Sequence, residues 1–151
     1  MSSFGFIFEV KRQNNMTFSA KDIFESENLD SPLDFVELSR KGISMKVLKK
    51  IQEFTSLTSK EISQILPVSE RQLVRYSLDH MLRKDISSHL IQIVELFDTG
   101  YDIFGEEKFQ RWIRSEIIVL DDRCPIDFMD TPIGINMIED ILGRIEHGVL
   151  S

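Results

Sequence analysis

Apolar residues recur at helical spacing along most of the chain from Ser31 onward. Ser31 followed by Pro32 is a cap with proline in the first turn, and Gly42 is placed to end the helix they start. Leu33, Val36 and Phe35 supply its apolar stripe. Ser44 caps the next helix, in which Val47, Leu48, Ile51 and Phe54 share a face and Lys46, Lys49 and Lys50 lie elsewhere. The longest periodic run covers 84–104, where Ile86, Leu90, Ile93, Val94, Phe97, Tyr101 and Phe104 form one stripe closed by Gly105. A shorter amphipathic helix follows over 106–114, with Phe109, Trp112 and Ile113 inward, and residues 125–129 give one more turn. Thr131-Pro132 opens the last helix, whose stripe is Ile135, Ile138, Ile141 or Leu142, and Ile145. Gly148 stops it. Strand-like text occurs only near 4–10 and 117–120, so the pattern predicts an all-α protein. Phe4, Phe6, Phe8 and Val10 alternate like a strand, but a lone strand has nothing to pair with, and the plainer reading is a mobile tail. Residues 11–31 show no period and read as a linker.

The segment 58–76 is the most structured text of the first half. Thr58-Ser59-Lys60-Glu61 fits a capping box, and Ile62, Ile65 and Leu66 follow at helical spacing until Pro67 breaks the helix. Ser69-Glu70-Arg71-Gln72 is a second capping box leading into Leu73. Two short helices joined by a tight turn describe a helix-turn-helix. On that reading Ser69, Arg71, Gln72 and Arg75 face phosphates or base edges in the major groove, Arg matching guanine and Gln adenine. Glu70 opposes nearby phosphate. The same pattern also occurs in helix pairs that touch no DNA.

Composition narrows the class. The chain has 151 residues, 42% of them hydrophobic and 28% charged, enough for one domain with a small appendage. Its single cysteine excludes an internal disulfide framework and a thiolate-rich metal site. No apolar run approaches the roughly 18 residues of a membrane span, and no secretory leader is evident, which predicts a cytoplasmic protein without membrane association. The net charge of −7 is unevenly distributed. Residues 36–91 carry 10 Lys and Arg against 6 Asp and Glu, while residues 92–151 carry 5 against 13. A basic middle beside an acidic end suggests two jobs on one chain.

Candidate chemistry is sparse. His80, His89 and His147 lack a partner at ligand spacing, and no glycine-rich phosphate loop exists. Arg123 is placed to lower the thiol pKa of Cys124, although an incidental thiol is the plainer reading. Asp121, Asp122, Asp127 and Asp130 are explained by turn and cap chemistry. No nucleophile, base and orienting group assemble, so no enzyme, metal or cofactor is expected.

The last fifty residues bring in a resemblance. Ile103-Phe104-Gly105, Arg111-Trp112-Ile113, Cys124-Pro125-Ile126-Asp127, Asp130-Thr131, Gly134 and the terminal run from Leu142 to Ser151 resemble the MbcA/ParS/Xre family of antitoxins, most closely the Xre-type members encoded beside RES-domain toxins. The resemblance covers roughly residues 35–151. It implies an Xre-like helix-turn-helix domain over 35–100 and a toxin-binding domain over 101–151, preceded by a partly flexible extension over 1–34. It further implies a NAD-consuming RES toxin as partner, blocked at its NAD pocket, and repression of the chain's own operon as a dimer on operator DNA. Members usually carry a glycine where Asp121-Asp122-Arg123 stands here, which leaves the shape of that loop open.

Beside the resemblance, the residues have their own reading. Leu142 and Ile145 face the core, freeing Arg144, while Gly148 releases Val149, Leu150 and Ser151 from the helix. Arg144 and residues 148–151 are therefore the expected toxin contacts, with two apolar side chains for a pocket and a terminal carboxylate for its cationic or amide donors. The competing reading packs the tail on its own domain. At the level of the whole chain, the alternative is a stand-alone helix-turn-helix transcriptional regulator.

Overall fold

The computed structural model describes residues 20–24 and 29–148. The strand-like text at 4–10 and the tail residues Val149, Leu150 and Ser151 lie outside the described residues. In chain order the helices are α1 (Ala20–Ile23), α2 (Pro32–Lys41), α3 (Met45–Thr55), α4 (Ser59–Ile65), α5 (Glu70–Arg75), α6 (Lys84–Phe104), α7 (Glu106–Trp112) and α8 (Pro132–Glu146). Two 3₁₀ turns, Ile118–Leu120 and Pro125–Phe128, lie between α7 and α8. The described residues contain no strand, and the fold is all-α.

Local caps start most of these helices where the sequence places them. The Ser44 Oγ accepts the Val47 amide, the Thr58 Oγ1 the Glu61 amide, the Ser69 Oγ the Gln72 amide and the Thr131 Oγ1 the Gly134 amide. At α2 the geometry is reversed: the Ser31 amide donates to the Asp34 carboxylate at 2.7 Å.

The long helix α6 is the spine. It packs against α2, α7 and α8, with smaller contacts to α1 and α3. Leu90, Ile93, Leu96 and Phe97 have no solvent exposure, and Val94 and Tyr101 almost none. The expected domain boundary at residue 100 falls inside this helix, and the buried residues on both sides of it form one cluster. The buried Ser87 joins the helix to the chain before it: its Oγ accepts the Ile43 amide at 2.9 Å and donates to the Leu82 carbonyl at 3.2 Å.

Three expectations are corrected. The supposed linker over 11–31 contains α1, and Ile23, Phe24 and Leu29 are core residues; three apolar side chains spaced irregularly show no period. Phe24 meets Phe35 edge to face at 6.5 Å. On α2, Phe35 is buried as expected, together with Leu38, whereas Leu33 is 74% and Val36 42% exposed. Tertiary packing therefore selects the neighbouring stripe. The strand-like text at 117–120 is a 3₁₀ turn with an isolated bridge between Ile117 and Arg123, because the chain reverses before a strand can extend.

Trp112, the expected core anchor, is only half-buried. Phe109 takes that place with no exposure, ringed by Phe97 at 5.2 Å, Tyr101 at 5.6 Å, Trp112 at 5.8 Å and Phe104 at 6.3 Å. It lies directly on Gly100, where any Cβ would overlap its ring. Gly134, in the first turn of α8, lies as closely on the Phe128 carbonyl oxygen.

Gly134→Ala is therefore expected to lower stability by about 1–3 kcal/mol through overpacking. Gly143→Ala, on the same helix with nothing within 4 Å of its added Cβ, should raise stability by about 0.5–1 kcal/mol. Urea denaturation of the two variants measures both, and equal shifts would contradict the close-approach account.

Candidate functional site

The described residues carry two candidate surfaces, one on α5 and one on α8. On α5, Ser69, Arg71, Gln72 and Arg75 are all exposed, so the structure brings the four expected DNA-binding residues to one short surface element. Two of them also serve the cap: the Ser69 amide donates to the Gln72 Oε1 at 2.9 Å, and the Gln72 amide donates to the Ser69 Oγ at 3.1 Å. The carboxamide nitrogen of Gln72 remains for a ligand. No ion pair engages Arg71 or Arg75 among the described residues. Val74, 86% exposed, lies between them, and Leu78 is 51% exposed just beyond. Half-buried Leu73 holds α5 to the core, and Tyr76 after it stacks on His80 at 3.8 Å.

On α8, Arg144 is exposed in the last turn, where a cation faces the negative end of the helix dipole. Gly148 is exposed with φ +70°, a left-handed residue just past the helix end. Glu139, Asp140, Gly143, Arg144 and His147 line a groove of about 440 Å³ there.

A polar clamp joins the two halves, and the sequence did not reveal it. Burial pushes the Tyr101 phenol up to about 12, with Glu106 adding to the effect and Gln110 opposing it, so the hydroxyl stays protonated. It donates to the Phe54 carbonyl at 2.7 Å. Gln110 Nε2 donates to both the Tyr101 hydroxyl and the Thr55 carbonyl at 2.6 Å. Arg114, just beyond α7, makes a bidentate pair with Glu61 at 2.8 and 3.0 Å. Glu61 also closes the α4 capping box by accepting the Thr58 amide. Burial works to raise the Glu61 pKa, but the Arg114 and Thr58 hydrogen bonds outweigh it and hold the carboxyl below its ordinary value.

The remaining candidates resolve as structure. His89 is buried with Nε2 2.7 Å from the Met129 carbonyl, which requires the Nε2–H tautomer. The expected lowering of the Cys124 thiol pKa is reversed: burial, then Asp127 and Glu116, push it up. The Arg123 guanidinium instead lies over the Phe128 ring at 4.6 Å. Asp121 and Asp122 adopt φ of 53° and 57°, the left-handed conformation that glycine takes without strain. Among the described residues, no His, Cys, Asp and Glu group could hold a metal, and no helix is long and apolar enough to cross a membrane.

Residues 99–148 match the family model described as the antitoxin Xre/MbcA/ParS C-terminal toxin-binding domain. The chain is also similar to two proteins named Antitoxin Xre. One, from Yersinia enterocolitica serotype O:8 / biotype 1B, is 29% identical over 119 residues, 77% of this chain and 80% of the relative. The other, from Photorhabdus laumondii subsp. laumondii, is 26% identical over 113 residues, 73% of this chain and 76% of the relative.

The matched segment rests on a buried acidic contact. Glu95 of α6 is only 8% exposed; burial, then Glu139 of α8 and Asp98, raise its pKa from 4.5 to about 8. Burial and Asp140 likewise raise that of Glu139. A carboxyl that keeps its proton longer when folded stabilises the fold less as pH rises. Stability should thus fall between about pH 4.5 and pH 8 and level off above. Glu95→Gln should flatten this slope, raising the thermal midpoint at pH 8.5 by about 2–4 °C for each kcal/mol recovered and leaving it unchanged at pH 4.5. An identical pH profile for the variant and the parent would exclude Glu95 as the source.

Proposed function

We propose that the chain, whose residues 99–148 match the Xre/MbcA/ParS toxin-binding domain, is an antitoxin of that family, acting by neutralising a toxin rather than by catalysis, and that its partner is a RES-domain toxin that consumes NAD in the cytoplasm. Neutralisation works by obstruction. Arg144 and residues 148–151 lie against the toxin and close its NAD pocket. The observation that carries this reading is the toxin-binding-domain match over 99–148, which runs to Gly148 at the head of the tail. Val149 and Leu150 fill an apolar pocket, and the Ser151 carboxylate takes the donors that otherwise hold a phosphate. The matched segment carries 11 Asp and Glu against 5 Lys and Arg, which favours approach to a basic pocket mouth. Co-expression with the product of the neighbouring reading frame tests it. The parent is expected to preserve cellular NAD and the deletion of residues 148–151 to lose that protection. A deletion variant that folds and protects fully would remove the tail from the mechanism.

The exposed cations of α5 support a second activity on the same chain, repression of its own operon. A homodimer presents two α5 elements to paired half-sites of the operator. Arg71 and Arg75 contact bases or phosphates, and loss of a bidentate base contact costs about 1–3 kcal/mol. An Arg71→Ala, Arg75→Ala double variant should therefore bind its promoter fragment more weakly and with a shallower salt dependence. A shift equal to the parent's in a gel assay would refute the assignment.

A further inference from the structure

Within the matched segment 99–148, the exposed large hydrophobic side chains are Ile118 and Val119 on the first 3₁₀ turn and Ile133 and Met137 on α8. The α8 pair has a distinctive setting. Ile133, Met137, Asp140, Arg144 and His147 are all exposed and fall on one line of the helix, at spacings of four, three, four and three residues. The opposite face holds Ile135, Ile138, Ile141 and Leu142 in the core, so the stripe is not part of the α8 packing. It begins with Ile133 at 82% exposure and Met137 at 36%, then becomes charged and ends beside the groove at Arg144. Ile133 is also firmly held. The Thr131 cap and the close approach of Gly134 to the Phe128 carbonyl fix the turn that carries it.

We infer that the outer face of α8 is the docking track of the toxin, with Ile133 and Met137 as its apolar anchor. The occupant is a protein with an apolar depression set in a basic surface. The stripe supplies the apolar part, and the net acidity of the segment selects a basic surround. The stripe is continuous with the groove at Arg144, which the function proposed above, on which this inference rests, places against the toxin. Ile133 lies about 17 Å along the helix from Arg144, too far for the two to enter one pocket. Affinity and obstruction therefore reside in different parts of one surface. The anchor holds the toxin, and the tail closes it.

The test uses the full chain and the purified product of the neighbouring reading frame, with affinity measured by calorimetry. Ile133→Glu, Met137→Glu should weaken binding by about tenfold or more, while its thermal midpoint and circular dichroism match the parent, since both positions face solvent. The tail deletion should keep most of the affinity while losing protection of NAD. Leu33→Glu, Val36→Glu, on the exposed face of α2, should bind like the parent. Parental affinity in the α8 variant would overturn the inference and leave the toxin partner standing. Equal loss in the α2 variant, or loss confined to Ile118→Glu, Val119→Glu, would overturn it as well. A parent that binds no toxin would remove the function and the inference together.

Discussion

The Phe109 ring lying on Gly100 sets the geometry of everything around it. A glycine inside α6, near its C-terminal end, weakens the helix slightly, but here it allows α7 to approach until ring and backbone touch. Phe97 and Tyr101 meet that ring edge to face, and Phe104 and Trp112 stack on it. Tyr101 then turns its hydroxyl away from the rings to the Phe54 carbonyl near the end of α3. Gln110, beside Phe109 in the chain, and Arg114, four residues beyond Gln110, take up the neighbouring carbonyl and Glu61. The position of α4 is thus tied to the seating of one aromatic ring about fifty residues later in the chain.

Much of the fold was legible because its signals are local. Caps and stops act within four residues, so Ser44, Thr58, Ser69, Thr131 and Gly105 mark their helices without reference to the rest of the molecule. The α6 stripe is long enough that its period is unambiguous. What failed depended on contacts distant in sequence. Whether Leu33 and Val36 or Phe35 and Leu38 face inward depends on which neighbour α2 finds, and the core role of Ile23 and Phe24 exists only once Phe35 is there to meet them.

The candidate site divides along the same line. The exposure of Ser69, Arg71, Gln72 and Arg75 followed from their offset relative to Leu73, and that of Arg144 from its offset relative to Leu142 and Ile145. That Ser69 and Gln72 spend hydrogen bonds on each other was implied by the capping box itself. The Arg114–Glu61 pair spans 53 residues and leaves no local trace. Arg123 beside Cys124 misled because adjacency in sequence says nothing of direction; its guanidinium points to Phe128. Ile133 and Met137 carried a readable sign, being apolar but out of phase with the buried stripe of their own helix.

The segment that matches the toxin-binding-domain model begins at residue 99, near the C-terminal end of α6. Its support begins earlier. His89 holds the Met129 carbonyl, Glu95 faces Glu139, and Leu90, Ile93 and Val94 belong to the same buried cluster as Ile135, Ile138 and Leu142. Removed from the larger, preceding part of α6, residues 99–148 would leave much of the inner face of α8 against water. The unit that inheritance keeps recognisable is therefore shorter than the unit that can unfold cooperatively. Grafting it onto another protein would require carrying the rest of the spine with it.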